Sequence, residues 1–374
     1  MDLAFSEEQL VLRDMVRSLC AELCPLEVVR EMERDPKSIP TELWKQLGEL
    51  GLLGVWIPEA YGGSGQGLLD AVIVHEELGR ALVPSPAFES AILSGRALLA
   101  VGSDDQKRAW LPRIVTGEAI LTPAWLEPQS GFGPKGVQLR ATRSGVAWKL
   151  SGPKRFVSYA NSAERLLVLA RTGEAATDIT AFLVDPRSPG VSLAPVESLG
   201  SERQFDVSFD SVAVDDADRL GDENAGWLLW DQVMHEAIIV LAARAMGGCR
   251  HAFEMTVQYA KDRKQFDKPL GAFQSISHYL ADAVTELDGG TTLVYQAAWA
   301  RDEGKDIRRL APMAKLFACN TFRDVTATCQ QIWGGVGFSI EYDIQLFFRR
   351  AKQMQISWWD KRMLEELVAA DVLD

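Results

Sequence analysis

Hydrophobic spacing changes twice along this chain, near residue 119 and again near residue 222, and few folds accommodate that order. Before the first change, apolar residues recur at helical spacing. Ser6 and Gln9 form a capping-box pattern, followed on one face by Leu12, Met15, Val16, Leu19 and Leu23. Pro40 and Thr41 open a second helix, TELWKQLGELG, which stops at Gly51. A glycine-rich turn, YGGSGQG, leads into LLDAVIVHEELGRAL; without a Walker lysine or a preceding strand it reads as a plain loop. Gln106 to Val115 adds one short helix. Between about 119 and 222 the runs VAWKLSGPKRFVSYA, RLLVLART, ITAFLVDP and QFDVSFDSVAVDDA are short and rich in β-branched and aromatic residues. Gly, Pro, Asn and Asp separate them, as in a small antiparallel barrel or sandwich. From Gly226 helical spacing returns, with helices expected over Trp227–Lys264, Phe273–Glu303, Asp306–Trp333 and Tyr342–Val372. Long helices with short links favour an antiparallel bundle. The expected class is therefore α+β and mainly α. It comprises an N-terminal helical domain over 1–118, a central β-barrel or sandwich over 119–222 and a C-terminal four-helix bundle over 223–374.

A formal net charge of −13 argues against a nucleic-acid or anionic-membrane surface, either of which calls for basic patches. Anionic small ligands stay open, because a local basic cluster can sit in an acidic protein. Cys20, Cys24, Cys249, Cys319 and Cys329 are odd in number and lack framework spacing, so reduced thiols and a cytoplasmic address are expected. His75, His235, His251 and His278 form no HExxH or Cys/His set, so no metal site is expected. The acidic, amphipathic N-terminus does not read as a signal peptide. Ala237 to Met246 is too short to span a membrane and contains Arg244.

Two segments carry chemistry. From Tyr259 the chain reads YAKDRKQFDKPLGAFQSISHYLAD, with Arg263, Gln265 and Phe266 at a helix end before Pro269 and Gly271. Arginine matches phosphate oxygens in charge and fork geometry, and an aromatic face stacks on a flat ring system. From Gln331 it reads QIWGGVGFSIEYDIQLFFRR, where Gly334 and Gly335 let backbone approach a ligand closely. A capped surface helix explains either segment taken alone. In this order and spacing they resemble the acyl-CoA dehydrogenase family, flavoenzymes that desaturate acyl-CoA thioesters, and the resemblance runs over nearly the whole chain.

The resemblance implies FAD, an acyl-CoA substrate, an electron-transfer flavoprotein or similar acceptor, and the same helical, β, helical layout. Arg263, Gln265 and Phe266 match the family's Arg–x–polar–Phe, which reaches the flavin of a neighbouring subunit, so an oligomer is implied as well. Gln331, Gly334 and Gly335 match the segment lying along the adenosine diphosphate. In the β-domain, Leu126-Glu127-Pro128 stands where the family has threonine–glutamate–proline, and QSGFG follows where Gly-Ser-Asp is usual. Gly131 keeps its place, while Phe132 replaces a serine that would bind a flavin phosphate. Lys154-Arg155-Phe156-Val157-Ser158 stands for lysine–x–tryptophan–isoleucine; Phe156 is expected to pack on the isoalloxazine and Ser158 to donate towards its reactive edge. On physics alone, Phe156 and Val157 read as strand core.

The pattern breaks at the general base. The reaction needs a carboxylate near the thioester α-carbon, and a water-poor pocket raises its pKa suitably. Of the family's two base positions, one falls on Trp358, within Ser357-Trp358-Trp359-Asp360, and the other on Ala237. Two carboxylates stand nearby. Glu236 is one residue off, a turn of about 100° around a helix. Asp360 lies two residues on, where an N-cap for KRMLEELVAA is the plainer role. Ile238 occupies the place of an arginine that buttresses the CoA side in many members. These departures resemble the base-lacking subunit of heteromeric members from sterol-degrading actinobacteria, which completes a flavin site for a homologous catalytic partner in a heterotetramer. Two alternatives stand beside it: a homomeric dehydrogenase using Glu236 or Asp360, and a flavin-free structural paralogue.

Overall fold

The structure, a computed structural model, describes residues 4–128, 131–200 and 202–373. Six helices come first: α1 (Glu7–Leu23), α2 (Leu26–Met32), α3 (Thr41–Glu49), α4 (Leu68–Arg80), α5 (Gly95–Val101) and α6 (Asp104–Val115). A π-helical turn, Phe88–Ser94, runs directly into α5. The strands follow as β1 (Leu121–Ala124), β2 (Arg140–Ser144), β3 (Ala147–Ser158), β4 (Arg165–Arg171), β5 (Ile179–Val184), β6 (Val191–Val196), β7 (Gln204–Asp215) and β8 (Arg219–Leu220). Helix α7 (Gly226–Asp262) leads to a short hairpin, β9 (Lys264–Gln265) and β10 (Lys268–Pro269). Then come α8 (Gln274–Asp302), α9 (Leu310–Trp333), α10 (Ile344–Ile356) and α11 (Lys361–Leu373). The layout is helical, then β, then helical. Among the described residues, no helix is long and apolar enough to cross a membrane.

The chain forms two compact units. One comprises residues up to 30, 67–83 and 238–374, and so holds α1, α4, most of α7 and everything after it. Ser6 caps α1 through its hydroxyl, which accepts from Gln9 N at 3.2 Å, while Gln9 Oε1 accepts from Ser6 N at 3.1 Å. Helices α4 and α7 cross backbone to backbone. A Cβ at Gly79 would lie 2.1 Å from the Arg244 carbonyl oxygen, and one at Gly247 would lie 1.9 Å from that of Glu76, so only glycine permits the crossing. The expected fourth bundle helix, Tyr342–Val372, is in fact two helices, because Ser357 to Asp360 forms a turn between α10 and α11.

The other unit, 31–66 and 84–237, holds α3, α5, α6, the eight strands and the start of α7. Strands pair in the order β6-β7-β3-β2-β4-β5-β8, with β1 on β4. Pairing is antiparallel except for β1 on β4 and the single Arg140–Arg171 link between β2 and β4. Inward residues of the long strands, among them Trp148, Val207 and Phe182, make one apolar core. Trp148 and Phe182 meet edge to face, centroids 5.4 Å apart. Strands β1, β2, β6 and β8 were not among the expected runs. β1 and β6 contain Pro123 and Pro195, β2 is mostly polar and β8 has two residues, so none carries the usual strand signature.

Candidate active site

Arg263, Gln265 and Phe266 follow the last turn of α7 into the hairpin, whose tip takes left-handed backbone at Phe266 (φ 51°) and Asp267 (φ 64°). Such a tip holds the Phe266 ring 86 % exposed. Gln331, Gly334 and Gly335 lie at the end of α9. Trp333 brings these segments together: Tyr259, four residues before Arg263, stacks on it at 4.2 Å and 10°. Trp333 Nε1 also donates to Thr256 Oγ1 at 3.1 Å. All six residues are exposed. Among the described residues the side chains of Arg263, Gln265 and Gln331 have no partner, and a Cβ at Gly334 or Gly335 would meet nothing within 4 Å. Gly334, at φ 66° and ψ −143°, requires glycine. An uncommitted guanidinium, two free amides and bare backbone suit a dinucleotide diphosphate, and the exposed ring suits a flat heterocycle.

In the β unit, Arg155 N donates to Leu126 O at 2.8 Å, which lays the Leu126-Glu127-Pro128 segment beside β3. A buried ion pair locks it: Lys154 Nζ reaches Glu127 Oε1 at 2.7 Å and Trp125 O at 3.2 Å. Glu127 Oε1 also accepts from the backbone N–H groups of Gln138 and Leu139 at 2.9 Å each. Burial pulls the Lys154 pKa down to about 8, against the opposing pull of Glu127. A bulge follows between Lys154 and Val157, where Phe156 turns to φ 54° and stands 43 % exposed under the Arg155 guanidinium at 4.8 Å. Phe156 is therefore not strand core. Ser158 is buried, its carbonyl accepting from Thr122 Oγ1 at 2.7 Å, and its hydroxyl has no partner among the described residues. Gly131 lines an open cleft of about 620 Å³ together with Glu127, Pro128 and Lys135. Phe132, in the serine's place, leans on Trp125 at 5.9 Å. Gln129 and Ser130 lie outside the described residues.

Neither base position carries a carboxylate, and both neighbouring acids are engaged. Ala237 is fully buried. Arg96 Nε donates to Glu236 Oε2 at 3.0 Å and Nη2 to Oε1 at 3.3 Å, while its guanidinium lies 4.1 Å from the Trp56 ring centroid. Asp360 caps α11, its Oδ1 accepting from Met363 N at 3.0 Å. Trp358 and Trp359 are buried with left-handed backbone, φ 52° and 70°. Lys315, which the sequence reading passed over, is fully buried on α9 and donates to the carbonyls of Ser357 and Trp359. Its signal was present: a lone lysine in the otherwise apolar run APMAKLFAC. Arg96 carried no comparable signal. Among the described residues no group of His, Cys, Asp and Glu is placed to hold a metal.

Comparison with known proteins agrees along the chain. Residues 6–118, 123–212 and 224–371 match the N-terminal, middle and C-terminal domains of acyl-CoA dehydrogenase. The chain is 33 % identical over 342 residues to the acyl-CoA dehydrogenase FadE12 of Mycobacterium tuberculosis, covering 88 % of this chain and 87 % of that protein. The ChsE4-ChsE5 complex from Mycobacterium tuberculosis superposes with a TM-score of 0.91 at 27 % identity, over 100 % of this chain and 99 % of that one. The Tcur3481-Tcur3483 steroid ACAD superposes with a TM-score of 0.87 at 30 % identity, over 98 % and 99 %. With all three domains matched in order, this chain belongs to the acyl-CoA dehydrogenase family, the FAD-dependent oxidoreductases that act on acyl-CoA.

Proposed function

We propose that this chain is the subunit of a heteromeric acyl-CoA dehydrogenase that completes a FAD site for a catalytic partner. The observation that carries the reading is the state of the two base positions: a buried alanine, and a buried tryptophan in a clamped turn, with Glu236 paired to Arg96 and Asp360 spent on a cap. The two-component ChsE4-ChsE5 and Tcur3481-Tcur3483 structures support it by likeness. The second of these favours a sterol-derived acyl group on the thioester. The domains are read as 1–118, 119–222 and 223–374, supported by the two changes of hydrophobic period. The chain works in the cytoplasm, a placement supported by five buried, unbridged cysteines.

Bound flavin supplies a hydride acceptor for the substrate β-carbon. Arg263 would balance diphosphate charge, Gln265 and Gln331 would donate to its oxygens, and Gly334 and Gly335 would admit it to the backbone. Phe266 would offer a ring face; on the β unit, taken by itself, Phe156 and Ser158 with Gly131 would form a wall for a flavin. The partner's carboxylate would remove the α-proton, and an electron-transfer flavoprotein or similar acceptor would receive the electrons.

Steady-state dye reduction with acyl-CoA thioesters tests the proposal on the purified chain and on its Glu236→Gln and Asp360→Asn variants. Loss of a general base costs about 10²–10⁴-fold, so weak turnover, unaltered by either substitution, is expected of the lone chain. Vigorous turnover abolished by one of them establishes the self-sufficient homomeric enzyme instead. A colourless assembly without flavin absorbance establishes the structural paralogue.

A further inference from the structure

The Ser357–Asp360 turn carries two backbone oddities and one buried charge. Trp358 and Trp359 are consecutive left-handed residues, a conformation that a Cβ disfavours and that persists only where surroundings enforce it. Lys315 is 0 % exposed, yet among the described residues no carboxylate touches it. Its Nζ instead donates to Ser357 O at 2.7 Å and to Trp359 O at 2.5 Å, the carbonyls on either side of residue 358. Asp360, the neighbouring acid, accepts at Oδ1 from Met363 N. A buried ammonium left without hydrogen bonds is costly, so the two carbonyls and the lysine depend on one another. Cys319, one helical turn along α9, directs its Sγ to Met354 O at 3.7 Å and ties the end of α10 to the same face.

We propose that Lys315 is the positioning residue of this turn, fixing residue 358 by bridging the carbonyls that flank it. The ammonium holds the strained pair in place from beneath, so the side chain at 358 is presented in one way only. The turn is then a rigid mount that carries tryptophan at 358. This deepens the reading above by its use of position 358, but the experiment reads backbone and rings rather than turnover, so the two succeed or fail separately.

Lys315→Met keeps length and removes both donors. Hydrogen exchange followed by mass spectrometry on the native assembly is expected to show amides of 357–364 exchanging at least about tenfold faster, with α8 and the rest of α9 unchanged. In chain labelled with 5-fluorotryptophan, the ¹⁹F resonances of Trp358 and Trp359, assigned through their phenylalanine variants, should shift or broaden. The other nine of the eleven tryptophans should not. Unchanged exchange and resonances, or a uniform acceleration across α9–α11, overturn the assignment and leave Lys315 a general core residue. Should Lys315→Met not fold, ¹⁵N-lysine spectra of the wild-type assembly decide. Two slowly exchanging Nζ signals are expected, from Lys154 and Lys315, and a single one that disappears in Lys154→Met refutes the clamp.

Discussion

Glu76 accepts a hydrogen bond from the Tyr295 hydroxyl at 2.6 Å, and burial lifts its pKa from an ordinary 4.5 to about 7, with adjacent Glu77 adding to the rise and Tyr295 opposing it. Between those values the folded chain keeps a proton that the unfolded chain has released, so the stability Glu76 contributes is complete below 4.5 and fades as pH rises through 7. Glu76→Gln keeps an acceptor for Tyr295 and cannot titrate. Its melting temperature at pH 7.5 should exceed that of wild type, with the gap closing towards pH 5; a gap that is constant or reversed contradicts the assignment. Lys154 runs the other way, its folded pKa of about 8 lying below its ordinary 10.5, so stability from that group rises with pH between the two, clear of the Glu76 window. At this scale the sequence was legible where a motif fixed a residue's neighbours. Arg263, Gln331 and the glycine pair stand exposed at helix ends, as their local sequence predicts, with no side-chain partner among the described residues. It was silent where the partner is remote in the chain: nothing near Glu236 announces Arg96, 140 residues away.

Helix α4 begins at Gly67, which has no side chain to cap it, and the cap comes from the last residue of α8. Asp302 accepts from Leu68 N at 2.8 Å and from Leu69 N at 3.0 Å, placing a negative charge on the positive end of the helix. Asp302→Ala should cost about 1–2 kcal/mol, measured by denaturant midpoint, with faster hydrogen exchange confined first to the opening turn of α4. A loss below about 0.3 kcal/mol would mean that water replaces the cap. A remote cap of this kind cannot be read from Gly67 and Asp302 in sequence, whereas the local boxes Ser6–Gln9 and Ser103–Gln106 can. The same limit explains the one misread bundle helix. Ser-Trp-Trp-Asp contains neither Gly nor Pro and has middling helix propensity, so the break at 357–360 depends on buried Lys315 and not on local preference. Long strands such as β3 and β7 were visible because each spans twelve residues, while β1 and β8, with four and two residues, are too short to show alternation.

For the molecule as a whole, the residues proposed to hold FAD on the helical unit lie on its surface. Phe266 is 86 % exposed, and the end of α7 and the hairpin around Arg263 carry Lys261, Lys264 and Lys268 in a chain of net charge −13. A ligand resting there is covered on one side only, so its affinity depends on what closes the other side. The isolated chain should therefore lose flavin on gel filtration. Co-expressed with a homologue that carries glutamate at the place of Trp358, it should retain flavin. Within that assembly Arg263→Ala removes a charge-assisted phosphate contact worth about 1.5–3 kcal/mol, roughly ten- to a hundredfold in Kd. Flavin absorbance against protein absorbance, followed through dilution, measures both effects. The charge has a further signature, because a contact between guanidinium and diphosphate weakens with salt: wild-type retention should fall between low and high ionic strength, and the Arg263→Ala variant should show a shallower fall. Full flavin occupancy in the isolated monomer, or in the Arg263→Ala assembly at any salt concentration, would remove Arg263 from the site and with it the argument that this chain supplies one half of a shared flavin pocket.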